Sequence, residues 1–157
     1  MIYLELKQDF SDTALLERAA RLTLDSSIPP NKDFEFALAS ADMTIVLTDD
    51  AQLQELNREY LGIDAPTDVL SFPAAEADPE TGTPYLGDIL ISIPRARQQA
   101  EAAGHSLEAE VQLLVVHGTL HLLGHDHAAA REKARMWKAQ AEVMSKLGLS
   151  HVKIQDT

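Results

Sequence analysis

The stretch His117-Gly118-Thr119-Leu120-His121-Leu122-Leu123-Gly124-His125-Asp126-His127 holds four of the six histidines of this 157-residue chain. It overlaps a run, Val111 to Leu123, that is apolar nearly all round a helix, the pattern of a central, buried helix. His117 and His121 are four residues apart, so on that helix their rings project from one face about one turn apart. Two imidazole nitrogens so placed reach one ion at about 2.0–2.1 Å. Gly124 predicts a left-handed helix end that turns the chain back. His127, three residues further on, is placed to deliver a third imidazole. Three histidines with an open fourth position form the ligand set of a catalytic zinc site, where a bound water becomes acidic. His117, His121 and His127 are the predicted ligands of one zinc ion per chain, although three imidazoles suit nickel and copper nearly as well. His125 and Asp126 are candidates for general acid or base, or for partners that orient a ligand histidine.

Outward from this helix the pattern alternates between strand and helix. Ile2, Leu4 and Leu6 alternate with polar residues and predict a strand over 2–7. Asp12 is read as the cap of a helix carrying Leu15, Leu16, Ala19, Ala20 and Leu22, broken by Ile28-Pro29-Pro30-Asn31. Residues 43–48 form a second strand, and Asp49-Asp50 opens a helix with Leu53, Leu56 and Tyr60. Residues 67–73 read as a short strand ended by Pro73, and 74–85 as an exposed, mobile loop. A strand follows at 86–93, then a helix from Pro94 to about Ala103, stopped by Gly104. Ser106 caps the histidine helix, and a last helix runs over about 128–147 to Gly148. There are no repeats and no linker. The expectation is one α+β domain over 1–157, a mixed four-stranded sheet with about five helices, and a zincin-like central helix carrying two ligands.

Composition narrows the class. The chain has no cysteine, which removes disulfides, thiolate metal sites and cysteine nucleophiles, and it fits a cytoplasmic protein. No apolar run approaches the roughly 18 residues of a membrane span, and the N-terminus has neither a basic nor an apolar signal region. The net charge is −12, which by itself argues against a nucleic-acid partner. The distribution is uneven, however. Residues 1–90 carry 18 acidic and 5 basic side chains, whereas 91–157 carry 7 and 8. Arg131 to Lys138 is locally basic, so charge neither establishes nor excludes RNA. Trp137 in that helix is spaced with Ala134, Ala141 and Met144 for core packing, with base stacking as the alternative.

The histidine and glycine spacing is also that of metzincin peptidases, H-E-x-x-H-x-x-G-x-x-H. Here Gly118 stands where those enzymes carry the glutamate that acts as general base, which weakens a peptidase reading.

With these residues in view, the chain closely resembles the YbeY family of bacterial rRNA-maturation endoribonucleases. Residues 117–127 match its H-G-x-L-H-L-x-G-[YH]-D-H signature. Leu56-Asn57-Arg58-Glu59-Tyr60 leading into Pro66-Thr67-Asp68-Val69-Leu70-Ser71-Phe72-Pro73, and Leu86-Gly87-Asp88-Ile89-Leu90-Ile91-Ser92, match two further blocks in the same order. The resemblance implies zinc on His117, His121 and His127. It also implies processing of small-subunit rRNA, notably at its 3′ end, and ribosome quality control. The implied partners are rRNA, the small subunit and its proteins, and an assembly GTPase. One position departs from the family: the arginine expected after the tyrosine of the first block is Leu61. Arg58, one helical turn earlier, is the candidate to supply that cation to a scissile phosphate. Asp68 and Asp88 are read as turn or inward-bonding carboxylates with a possible place near the metal, and Ser71-Phe72 as sheet packing. Two other readings stand beside the nuclease: a metallopeptidase-like hydrolase, and a non-catalytic ribosome assembly factor with a structural zinc.

Overall fold

The period-2 apolar residues form the strands expected of them. In this computed structural model, which describes residues 1–26, 41–77 and 79–152, the elements follow as β1 (Ile2–Leu6), α1 (Ala14–Ser26), β2 (Asp42–Thr48), α2 (Asp50–Leu61), β3 (Val69–Ala77), β4 (Pro84–Ser92), α3 (Ile93–Ala103), α4 (Leu107–Leu122) and α5 (Ala130–Lys146). The Pro29-Pro30 break lies outside the described residues. The sheet has the order β1-β2-β4-β3. β1, β2 and β4 run parallel and β3 returns antiparallel beside β4, so the sheet is mixed as expected.

Alternation along the strands divides the sheet between two cores. Met43, Ile45 and Leu47 of β2, with Ile89 and Ile91 of β4, join the large cluster that includes Leu16, Ala19 and Ala20 of α1 and Leu113, Leu114 and Leu120 of α4. Val46, Leu90 and Leu70 join the smaller cluster with Leu53 of α2. α1 starts one residue later than the Asp12 reading, because the Thr13 carbonyl, not an Asp12 side chain, accepts from Leu16 and Glu17.

The 74–85 loop expectation is corrected by the structure. β3 runs through Pro73 to Ala77 and β4 begins at Pro84, so the connection is much shorter. Proline is tolerated because β3 is an edge strand and its register shifts just after Pro73. Opposite Pro73, Gly87 has φ +135°, and a Cβ there would lie 2.1 Å from the Phe72 carbonyl oxygen. A side chain at this position is therefore excluded by both conformation and space.

α4 is the central helix that its composition predicts. The Ser106 hydroxyl accepts from Ala109 N–H at its start, and every residue from Ala109 to Leu120 is buried. It meets the sheet at Gly118. A Cβ there would lie 2.8 Å from Ile89 Cγ2 and 3.2 Å from Ser71 Oγ, and the Ser71 hydroxyl donates to the Gly118 carbonyl at 3.1 Å. α2 and α3 are joined by Arg95, whose Nε and Nη2 donate to the two Asp50 oxygens at 3.2 and 2.9 Å, while the Ser92 hydroxyl donates to Asp50 Oδ1 at 2.7 Å.

Gly118→Ala should cost about 1–3 kcal/mol, the usual penalty for overpacking, read as a lowered urea midpoint; an unchanged midpoint would show that the helix is not seated on the sheet there. The Arg95 contact holds the Asp50 carboxyl below its usual range despite burial. Its stabilising effect is present above the ordinary carboxylate pKa and is lost as pH falls through the lower folded value. Asp50→Asn should therefore be modestly less stable than wild type at pH 7, with the difference closing in unfolding curves as pH falls through and below the ordinary carboxylate range.

Candidate metal centre

The site begins with helix periodicity. His117 and His121 leave α4 on one face, with ring centroids 4.8 Å apart. The helix ends as Gly124 predicts. Gly124 has φ +98°, its N–H donates to the His121 carbonyl, and His125 N–H donates to the Leu120 carbonyl at 3.0 Å. This paired closure reverses the chain. His127 then returns to within 5.6 Å of His117 and 5.2 Å of His121, centroid to centroid. One potential ligand atom from each ring lies within 4.8 Å of the others. Among the described residues, these three are the side chains grouped in this way.

Two further contacts prepare the rings. His117 Nδ1 lies 3.0 Å from Gln140 Oε1, and His121 Nδ1 lies 2.9 Å from the His125 carbonyl oxygen. Because both partners are acceptors, each Nδ1 carries the proton and donates, which leaves each Nε2 as the lone-pair donor. Burial pushes His117 down to about 4, with the nearby His121 adding to the effect and Gln140 opposing it. Burial and then His127 lower His121 as well. The rings are therefore neutral at pH 7, the protonation state a metal needs. The donor set and its orientation fit a bound metal ion.

The three histidines open into a cavity of about 740 Å3. Its wall includes Leu61, Asp68, Ser71, Arg95, Gln99, Glu110 and Trp137. Trp137 stands edge-on to His117 and His127 at 5.9 and 5.5 Å, with Lys133 Nζ 5.6 Å from its ring. The core-packing reading of Trp137 is half correct. It packs on the core, but Ala134 and Ala141 are exposed and the buried stripe of α5 is Met136, Gln140, Val143 and Met144. Trp137 sits at the edge of that stripe, facing the cavity.

The other expected residues are dispersed. His125 is buried and its carbonyl serves His121. Asp126 is exposed, and its Oδ1 accepts from the His127 N–H at 2.7 Å, which fixes the backbone that carries the third histidine. Arg58 is exposed on the last turn of α2 and is not part of the cavity wall, whereas Leu61 is. Asp88 bonds to the Tyr85 hydroxyl beside the sheet, also outside the wall. Sequence reasoning missed Gln140, Arg95, Gln99 and Glu110. Gln140 carried a signal, a polar residue at a core position of an amphipathic helix.

A buried helix presenting two neutral imidazoles, a third returned by a glycine turn, and an open cavity in front of them define a site of metallohydrolase type. The profile of the family described as Endoribonuclease YbeY matches residues 7–148, and the chain belongs to that family. The Endoribonuclease YbeY of Roseiflexus sp. is 44% identical over 147 residues, 90% of this chain and 87% of that protein. That of Desulfitobacterium hafniense is 50% identical over 115 residues, 69% of this chain and 73% of that protein. The solution structure of TM1509 from Thermotoga maritima shares the fold, with a TM-score of 0.57 at 24% identity over 98% of this chain and 97% of that one.

If Gln140 orients His117, Gln140→Met, which preserves volume, should weaken metal affinity about 10–100-fold with little change in unfolding. His121→Ala should abolish stoichiometric binding. Equilibrium dialysis with metal analysis checks both, and wild-type affinity in Gln140→Met would show that the contact does not prepare the ligand.

Proposed function

We propose that this chain is a zinc-dependent endoribonuclease that cleaves single-stranded RNA, with the 3′ end of small-subunit rRNA as its substrate, in maturation and quality control of the ribosome. The observation that carries the reading is the three-histidine group at the wall of an open cavity beside Trp137, in a chain of an endoribonuclease family. His117, His121 and His127 would hold the ion. When bound, a zinc ion supplies Lewis acidity toward a phosphoryl oxygen. The protein's own part is to hold three imidazoles, through Gln140, the His125 carbonyl and the Asp126-fixed backbone, and to receive the strand. Trp137 offers an aromatic edge at the cavity, where an unstacked base can pack. Arg131, Arg135 and Lys138 recur on one exposed side of α5, so this helix presents local positive charge despite the acidic total. His125 and Asp126 remain the candidates for proton transfer, and Arg58 for a contact to RNA outside the cavity.

The small subunit and its proteins, and an assembly GTPase, are the proposed partners, and the cytoplasm the proposed location. No helix among the described residues is long and apolar enough to cross a membrane.

Gly118 weighs against the peptidase alternative. A Cβ there would already lie 2.8 Å from Ile89 Cγ2 and 3.2 Å from Ser71 Oγ, so a glutamate in this position would force the sheet contact to shift. A three-ligand set also favours catalysis over a structural zinc, which takes four protein ligands.

Purified wild type and His121→Ala, tested on a small-subunit rRNA 3′-end fragment with and without zinc, decide the matter. Cleavage that needs both the metal and His121 is expected. Equal residual cleavage in both proteins would contradict the nuclease, and turnover of a peptide or ester panel would favour the alternative hydrolase.

A further inference from the structure

Among the described residues, Arg95 is the one arginine or lysine in the cavity wall, where two carboxylates, Asp68 and Glu110, also stand. Those carboxylates already have inward partners. With its amide nitrogen set between them, Gln99 donates to Glu110 Oε1 at 2.9 Å and Asp68 Oδ2 at 3.2 Å, and His105 Nε2 meets Glu110 Oε2. Arg95 is differently placed. Asp50 takes its Nε and Nη2, and Nη1 has no protein partner among the described residues. Asp50 is itself fixed by the Ser92 hydroxyl, and Ser92 also caps α3 by accepting from the Arg95 N–H. The guanidinium is thus clamped along one edge while its side chain stays 31% exposed.

An ion pair this exposed contributes modestly to stability, and it also fixes the orientation of a cation. A guanidinium held in this way loses little freedom when it receives a phosphate, and its planar donors match phosphate oxygens. Leu61, in the same wall, brings no charge to the cavity, and Arg58 stands outside the wall.

We propose that Arg95 is a substrate-binding residue whose free guanidinium edge receives a backbone phosphate of the RNA strand lying across the cavity. The assignment rests on the nuclease reading and deepens it by naming the cation that balances the strand's charge inside the site. The role is binding rather than chemistry, so it appears in affinity and in its salt dependence.

The test measures binding of the metal-loaded protein to an unstructured, 2′-O-methylated RNA oligonucleotide by fluorescence anisotropy over a series of salt concentrations. Arg95→Gln should raise Kd about tenfold and reduce the slope of log K against log salt by about 0.7, the release expected for one single-strand phosphate. Arg97→Gln removes the same charge from an exposed position of α3 outside the wall and should leave both nearly unchanged. Arg95→Lys keeps the charge but loses the fork, so it should retain the slope and weaken Kd; it also carries the test if Arg95→Gln fails to fold. Wild-type affinity in both Arg95 variants, or an equal loss in Arg97→Gln, overturns the assignment. A wild-type protein that binds no RNA at all overturns it through the nuclease reading, and that outcome is distinguishable from the others.

Discussion

The seating of α4 on the sheet at Gly118 is the constraint from which the site follows. A helix buried on nearly every side cannot be rotated by its polar face, because it has almost none; its orientation is set by where it can approach its neighbours most closely. The missing Cβ at Gly118 lets the backbone meet Ile89 and the Ser71 hydroxyl. With that contact made, the adjacent His117 and the next-turn His121 are directed away from the sheet toward the cavity and α5. The residue that stands in the place of a glutamate base is thus the one that positions the two imidazoles.

From that seating the remainder of the centre is assembled by short-range devices. The glycine-ended helix at Leu123-Gly124 reverses the chain, and the Asp126 carboxylate fixes the turn that carries His127. Gln140, at a buried position of α5, fixes the tautomer of His117 and links the last helix to the site. On the far side, the Asp50–Arg95 pair joins α2 to α3 and orients a cation in the same cavity. The acidic total of the chain therefore says little about the cavity, whose electrostatics are decided by a few side chains.

The histidine triplet was legible in the sequence because metal ligation demands a spacing that a helix and one glycine turn reproduce locally. The strands were legible where apolar residues alternate, as in Met43, Ile45 and Leu47. Three features were not. Pro73 reads as a strand end, yet its edge position removes the need for its N–H, and the strand continues. The stripe of α5 lies one residue from the one its apolar spacing suggests, because Trp137, an apolar residue, sits at the rim while Gln140, a polar one, occupies a core position. Arg95, Gln99 and Glu110 meet Asp68 through tertiary packing of α3 on α4 and of α4 on β3, and no local pattern announces such a meeting.

In the proposed function, the three-histidine centre on α4 and its returning turn performs the cleavage. Titration of zinc into metal-free protein, with single-turnover RNA cleavage followed at each addition, tests it most directly. No cleavage without metal, a linear rise and a plateau at one equivalent per chain are expected. Full activity in metal-free protein, or a rise that ignores the one-equivalent point, would contradict this role.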